Sequence, residues 1–136
     1  MRIYIAARFS HRPECNELAH KLMALGHTIT SRWVKPDSDH VVPTGLSRQV
    51  ADSERQRFAL EDIEDVLAAD CMVSLMEEPR NLSRGGRHVE FGIALAAKHR
   101  LCIIGPRETV FHHHPSVEQF DSVEAFLASE RVAVEA

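Results

Sequence analysis

The regular alternation of short apolar runs with helical patterns is the feature that most restricts how this chain folds. Ile3 to Ala7 predicts a buried strand, and apolar residues then recur at helical spacing from Pro13 to Leu25 before Gly26 ends the helix. The pattern continues with strands at Thr28–Val34, Cys71–Met76, Leu101–Ile104 and Val117–Phe120, and with helices at Ser47–Ala69, around Glu90 and at Ser122–Glu130. Parallel strands need covering helices between them, so this order indicates an α/β fold.

Five such strands in a chain of this size favour a flavodoxin-like three-layer sandwich. We expect a mostly parallel five-stranded sheet in the order 2-1-3-4-5. The 136 residues, of which 44% are hydrophobic, match one domain with one core, so residues 1–136 are predicted to form a single domain. The polar loop from Pro36 to Gly45 is long enough to act as a lid. Ser122 is expected to cap the last helix, with Glu124 and Glu130 on its solvent face.

Charge and cysteine content exclude several functional classes. The formal net charge is −4 and the pI is about 6.1, which argues against binding of duplex nucleic acid. The three cysteines are odd in number and widely spaced, as expected of reduced thiols in a cytoplasmic protein. The chain opens on a strand pattern, and no apolar run approaches membrane-spanning length. We therefore predict a cytoplasmic protein with a small-molecule ligand.

The predicted strand order also predicts where that ligand binds. In such a sheet the crevice lies beyond the carboxyl ends of the strands, where the winding reverses between the first and third strands. The loop after strand one contains Arg8, Phe9 and Ser10, and the loop after strand three leads to Glu90. Two segments far apart in sequence are thus expected to meet at one cleft.

Glu90 is the acid that points most directly to chemistry. Between His88 and Lys98 it is the one side chain that can carry charge, and on a helical wheel it falls between Ala94 and Ala97. A place in the first turn would keep the carboxylate ionised through the helix dipole. An ionised, partly desolvated carboxylate is a competent nucleophile toward an anomeric carbon. The alternative is a glutamate that merely caps its own helix.

Asp62 is the second candidate, because the wheel separates it from neighbouring acids. It falls between Phe58 and Val66 in an apolar stripe to which Ala59, Ile63 and Leu67 also belong, whereas the polar face is predicted to carry Glu61, Glu64 and Asp65. A partly buried aspartate has a raised pKa and can donate a proton to a leaving group. The alternative is an aspartate at the stripe's edge that reaches solvent.

The loop from Ser83 to Arg87 combines a hydroxyl, two guanidiniums and two glycines just before a helix. Its backbone amides and arginines suit an anion, although a solvated basic loop is equally compatible with this composition. The glycine spacing matches neither a P-loop nor a dinucleotide fingerprint. Trp33, Phe9 and Tyr4 are the aromatic residues nearest the expected cleft, where each can stack on a planar ring or simply pack in the core.

The three adjacent histidines at 112–114 do not form a metal motif. They cannot all face one ion, and no cysteine pair or carboxylate lies at ligand spacing. We expect neither a metal nor a cofactor. A loop that packs on a neighbouring subunit or on the ligand is the better interpretation.

The chain resembles the nucleoside 2-deoxyribosyltransferase family and its relatives that hydrolyse 2′-deoxynucleoside 5′-monophosphates. The similar segments are Ile3–Ser10, Asp62–Ile63, Ala69–Asp70, Gly92–Ala94, Val110–His113 and, most strongly, Gly85–Gly92. The resemblance implies that Glu90 is the nucleophile, that Asp62 contacts the nucleobase, and that the first strand end lines the sugar pocket. The residues expected to bind substrate are Tyr4, Ala6, Arg8, Ser10, Trp33, Ser83, Arg84, Gly86, Arg87 and His112.

The resemblance leaves three functions open. Typical transferases carry an aspartate in the loop before the nucleophile, whereas this chain has Ser83 and Arg84 there, and a serine is more similar to the monophosphate hydrolases. We expect transfer of a deoxyribosyl group between nucleobases through a glutamyl intermediate, with 5′-monophosphate hydrolysis or non-catalytic nucleotide binding as alternatives. The resemblance also implies a homodimer or higher homo-oligomer, with the Phe111–His114 loop as the segment donated across the interface.

Overall fold

The computed structural model describes residues 1–35, 47–77 and 85–135. The strands are β1 (Arg2–Ala6), β2 (Thr28–Ile29), β3 (Cys71–Leu75), β4 (Arg100–Ile104) and β5 (Val117–Phe120). The helices are α1 (Arg12–Ala24), α2 (Arg48–Ala68), α3 (Gly86–Ala96) and α4 (Val123–Glu135), with 3₁₀ turns at Phe9–His11, Arg32–Val34 and Val110–His113. The Pro36–Gly45 loop, Ser83 and Arg84 lie outside the described residues.

The strands form one sheet in the order β2-β1-β3-β4-β5, and every pairing in it is parallel. This confirms the predicted α/β fold and strand order. Helix α1 contacts α4, and α2 contacts α3, so the helices cover the two faces of the sheet in pairs. The winding reverses at β1, which has β2 on one side and β3 on the other.

The core lies on both faces of the three central strands, as expected for parallel strands that are covered twice. All five side chains of β3 are buried, and so are the last four of β1 and of β4. Along β1, Tyr4 and Ala6 share one face because side chains alternate across a strand. Ile3 and Ile5 occupy the opposite face.

Helix ends follow the expected capping chemistry. The Ser47 hydroxyl accepts a hydrogen bond from the amide of Val50 at 3.3 Å, and the Ser122 hydroxyl accepts one from the amide of Ala125 at 3.1 Å. Gly26 ends the first helical segment with a φ of +93°. In the ranges that the structure describes, every helix is too short or too polar to cross a bilayer.

The second strand is shorter than predicted. It ends at Ile29, and the chain then enters the 3₁₀ turn at Arg32–Val34. Beyond Ile29, two side chains make the hydrogen bonds to β1 that a longer strand would make. The amide of Ile5 donates to the Ser31 hydroxyl at 3.1 Å, and the indole of Trp33 donates to the Ile5 carbonyl at 2.9 Å. The prediction of a strand as far as Val34 was wrong because side chains satisfy the edge of β1 just as well.

Two acids predicted to face solvent are buried. Asp65 accepts from Nε of Arg32 at 2.9 Å and is 6% exposed. Glu130 is 2% exposed, accepts from Arg100 at 2.7 Å, and lies 3.3 Å from Nε2 of His27. Helical periodicity placed both acids on polar faces, but a cation from another element meets each one and makes burial tolerable.

Candidate active site

A cleft of about 430 Å³ opens beyond the carboxyl ends of β1 and β3. This volume lies in the range of small-molecule sites. Its lining comes from the segment after β1, the Arg32–Val34 turn, α2 and the start of α3: Ala7, Arg8, Phe9, Ser10, Trp33, Asp62, Gly86, Arg87 and Glu90. The structure thus brings together the two strand-end segments that the sequence predicted would meet.

Glu90 enters the cleft from the second turn of α3. Gly85 precedes the helix with a φ of +84°, a conformation that favours glycine, and Glu90 is the fifth helical residue after it. Burial, followed by the charge of Asp62, raises the pKa of Glu90 to about 8. The prediction of a first-turn acid kept ionised by the helix dipole was therefore wrong. Desolvation outweighs the dipole one turn into the helix.

The Tyr4 hydroxyl faces this carboxylate from the sheet below. Tyr4 is fully buried, and its pKa is raised by burial and by the charges of Glu90 and Asp62. Its hydroxyl meets no partner at full hydrogen-bond geometry among the described residues, yet it lies near enough to Glu90 to lower the pKa of that carboxyl. Tyr4 is thus part of the core and also the polar floor beneath Glu90.

Asp62 reaches the same cleft from α2. It is half-buried and close enough to Glu90 to raise the pKa of that group. The apolar stripe around it is narrower than predicted, since Ile63 and Leu67 are 43% and 55% exposed whereas Val66 is fully buried. Asp62 therefore sits at the boundary between the packed face of α2 and the cleft.

Aromatic side chains form the wall opposite the acids. Trp33 is held by the hydrogen bond from its indole to the Ile5 carbonyl, and its ring centroid lies 6.3 Å from that of Phe9. Phe9 is 48% exposed and Trp33 only 6%. The cleft therefore offers one anchored ring and one accessible ring, an arrangement suited to stacking on a planar group.

The guanidiniums that line the cleft face acids of the same chain. Arg8 lies 3.6 Å from Glu77, and Nε2 of His11 lies 3.1 Å from the other oxygen of that carboxylate. The Arg87 guanidinium donates to Glu108 at 2.9 Å and is almost wholly buried. Charge at this end of the cleft is therefore offset locally.

Two other predicted substrate-binding residues that the structure describes, Ala6 and His112, do not line the cleft. Ala6 is buried at the end of β1, under the cleft. His112 is 1% exposed, its Nδ1 accepts from the amides of Glu108 and Thr109 at 3.0 Å each, and its ring centroid lies 4.7 Å from that of Phe91. Burial lowers the pKa of His112 to about 4, so the ring is neutral. It lines a separate apolar groove beside α3, not the cleft.

Sequence reasoning missed several polar groups around the cleft. Glu77 lies between Arg8 and His11 and contacts both. The buried hydroxyl of Ser74, opposite Ala6 in the sheet, finds no hydrogen-bond partner within the described chain. Glu77 lies two residues after the end of β3, and this position near a strand's carboxyl end was a usable signal. In ranges 1–35, 47–77 and 85–135, no group of three or more His, Cys, Asp or Glu side chains could hold a metal ion.

Comparison with known proteins finds likeness in structure alone. No family model and no curated protein matches the sequence. Among solved structures, the chain is similar to a 2-deoxyribosyltransferase from Bacillus psychrosaccharolyticus, with a TM-score of 0.70 and 17% identity over 98% of this chain and 96% of that one. It is also similar to the CMP N-glycosidase BcmB of Clostridium botulinum, with a TM-score of 0.60 and 14% identity over 97% and 99% of the two chains. The chain has the fold of these proteins.

Proposed function

We propose that this chain is an enzyme that cleaves the N-glycosidic bond of 2′-deoxynucleosides and transfers the deoxyribosyl group to another nucleobase. The observation that carries the proposal is the pairing of Glu90 with Asp62 in one cleft, above the buried Tyr4 hydroxyl and opposite two aromatic rings. Enzymes that break a bond to an anomeric carbon typically use a pair of carboxyl groups. The two similar solved structures, one of a deoxyribosyltransferase and one of an N-glycosidase, support this reading.

The proton held by the acid pair gives the two carboxyl groups different roles. Because the pKa of Glu90 is raised to about 8, at least one proton remains on the pair at neutral pH. The productive form has the charge on Glu90, where the Tyr4 hydroxyl favours it, and the proton on Asp62. Moving the proton between the two groups leaves the total charge of the cleft unchanged.

In the first step a Glu90 oxygen forms a bond to the anomeric carbon as the bond to the base nitrogen breaks. The bonding electrons leave with the base, and Asp62 supplies the proton that neutralises it. In the second step the nitrogen of an incoming base attacks the same carbon, the ester to Glu90 breaks, and the proton lost by that base returns to Asp62. No cofactor or metal is required by this balance.

Hydrolysis of nucleoside 5′-monophosphates is the second candidate. The specific observation in its favour is the likeness to a CMP N-glycosidase, together with arginines at the cleft. The chemistry at Glu90 is the same, with water in place of the second base. The two functions differ in the acceptor and in the group on the 5′ oxygen.

One chromatographic assay separates these functions. The protein is incubated with deoxynucleosides or their 5′-monophosphates, with and without a free base, and with Glu90→Gln and Glu90→Ala variants in parallel. Exchange products from unphosphorylated nucleosides support the transferase, whereas free base released only from monophosphates supports the hydrolase. Glu17→Gln, which removes an exposed glutamate paired with Lys21, serves as the matched control. If a folded Glu90 variant keeps most of its activity on the best substrate, the mechanism is wrong.

We also propose that this single domain, residues 1–136, works as a cytoplasmic homo-oligomer. The three cysteines are unpaired and buried, which suits a reducing compartment. An apolar groove of about 570 Å³ lies between α3 and the Val110–His113 turn, and Val89 and Phe111 beside it are 64% and 62% exposed. Exposed apolar surface of this kind is typical of a contact between subunits.

A further inference from the structure

Glu77 is an enclosed acid beside Arg8, whose guanidinium lines the cleft. It follows β3, whose carboxyl end lies beside that of β1, so it meets Arg8 across the point where the winding reverses. One carboxylate oxygen lies 3.6 Å from Arg8 and the other 3.1 Å from His11. The Glu77 side chain is 13% exposed and that of Arg8 33% exposed. The acid is therefore enclosed, and the cation that it offsets faces the cleft.

The backbone of Glu77 ties this acid to the second ion pair of the cleft. Its amide donates to Glu108 at 3.2 Å, and the other oxygen of Glu108 accepts from Arg87 at 2.9 Å. Arg87 and Glu108 are only 3% and 7% exposed in their side chains. This inner pair is closed to a ligand, so Arg8 is the lining guanidinium, among the described residues, that a ligand can reach.

An anionic group entering the cleft thus meets little uncompensated positive charge in the described wall. Arg8 and Arg87 each face a carboxylate, and the cleft also contains Asp62 and Glu90. A phosphate monoester brings ~1.5 to 2 negative charges at neutral pH. To bind Arg8 it must displace Glu77 or accept a like charge beside it, and both carry an energetic cost.

We infer that Glu77 determines the substrate class of this site, favouring deoxynucleosides with a free 5′ hydroxyl over their 5′-monophosphates. The inference rests on the proposed function and names the group on the 5′ oxygen that the cleft accepts. An uncharged hydroxyl hydrogen-bonds beside the Arg8–Glu77 pair without breaking it. A phosphate competes with Glu77 for the same guanidinium.

Ligand binding in a Glu90→Gln protein tests the inference without turnover. Dissociation constants are measured by titration calorimetry for the four common deoxynucleosides and their four 5′-monophosphates, with and without Glu77→Gln. E77Q keeps the backbone bond from residue 77 to Glu108 and removes one charge. We expect the ratio of monophosphate to nucleoside affinity to rise at least about tenfold, as loss of one nearby like charge predicts.

Arg8→Ala tests whether the gain acts through the guanidinium. In the E77Q protein, R8A should cancel the gain in monophosphate affinity, whereas with Glu77 present it should change the ratio by less than about threefold. Circular dichroism checks that the E77Q protein folds. The comparison of R8A with its parent while Glu77 is present does not depend on the folding of E77Q. E17Q, which removes an ion-paired glutamate outside the cleft lining, should leave the ratio unchanged.

The outcomes distinguish this inference from the proposed function. If nucleosides bind and E77Q leaves the ratio within about twofold of its parent, Glu77 does not determine substrate class while the proposed function stands. A gain that persists in R8A would overturn the inference as well. If neither nucleosides nor monophosphates bind any of the proteins, the proposed function fails, and the inference that rests on it fails too.

Discussion

The Arg32 guanidinium donates from Nε to both carboxylate oxygens of Asp65, at 2.9 and 3.1 Å, while the Arg32 amide donates to the same group at 3.0 Å. Asp65 belongs to α2, and Arg32 opens the 3₁₀ turn that carries Trp33 to the cleft. One buried acid therefore fixes an aromatic wall of the candidate site to the helix that supplies Asp62.

Replacing Asp65 by Ala should lower the free energy of unfolding by ~1–3 kcal/mol, because it removes three hydrogen bonds to a partly buried cation and amide. Urea denaturation monitored by Trp33 fluorescence measures the change. The matched control is Glu64→Gln, since Glu64 is 76% exposed and lies 3.4 Å from the same guanidinium. That change should cost less than ~0.5 kcal/mol. Equal losses in the two variants would contradict the assigned role of Asp65.

Most of the fold was predictable because the strand and helix periods are local properties of the sequence. The run of apolar residues at Cys71–Leu75 and the caps at Ser47 and Ser122 need no long-range information. The strand order was predicted because five strands in a chain of this size favour the flavodoxin-like arrangement. The meeting of the Arg8 and Glu90 segments at one cleft is a consequence of that order.

The failures share one physical cause, which is pairing between distant residues. The sequence pattern places Asp65 and Glu130 on polar helix faces and so predicts that they are exposed. Both acids are buried instead, because Arg32 and Arg100 from other elements form ion pairs with them. β2 ends early because the Ser31 hydroxyl and the Trp33 indole bond to the backbone of Ile5 in place of strand backbone groups. Likewise, the sequence identified Glu90 but not its raised pKa, because that pKa depends on burial and on Asp62.

The pH dependence of kcat/KM should report the ionisation of Glu90. The pKa of this carboxyl is raised to about 8 in the free protein, so the acid pair loses its last proton as pH rises through this value. The productive form, which needs that proton on Asp62, becomes less populated. We expect kcat/KM to decrease through an apparent pKa near 8 and to fall about tenfold per pH unit well above it. Initial rates from pH 5.5 to 9.5 on the best substrate measure the profile.

Two variants should change this limb in different ways. Asp62→Asn removes the proton donor and a charge that raises the pKa of Glu90, so the decrease near pH 8 should disappear and overall activity should drop. Tyr4→Phe removes the hydroxyl that lowers that pKa, so the limb should move to higher pH. Profiles that stay at the wild-type position in both variants would show that a different group controls the limb.

Glu90→Gln should make the protein more stable at alkaline pH. A carboxyl whose pKa rises from 4.5 to about 8 on folding binds more protons in the folded state, so wild-type stability decreases as pH rises between these values. The glutamine side chain in E90Q does not ionise, so the stability of this variant does not decrease in this way. At pH 8.5 we expect E90Q to gain ~1–3 kcal/mol, with little difference from wild type at pH 4.5. Denaturant midpoints at both pH values give the comparison, and equal stability at pH 8.5 would argue against a strained charge at Glu90.

Replacing Phe111 by Asp should dissociate the proposed oligomer. Phe111 is 62% exposed beside the apolar groove, so the change removes little packing within one subunit but places a charge where apolar contact is proposed. Light scattering after size-exclusion chromatography should show the mass falling to that of a single chain at micromolar concentration. Val132→Asp is the control, since Val132 is 68% exposed on α4 and lies outside the groove lining. The groove is not the subunit contact if F111D keeps the wild-type mass, or if V132D dissociates the protein equally well.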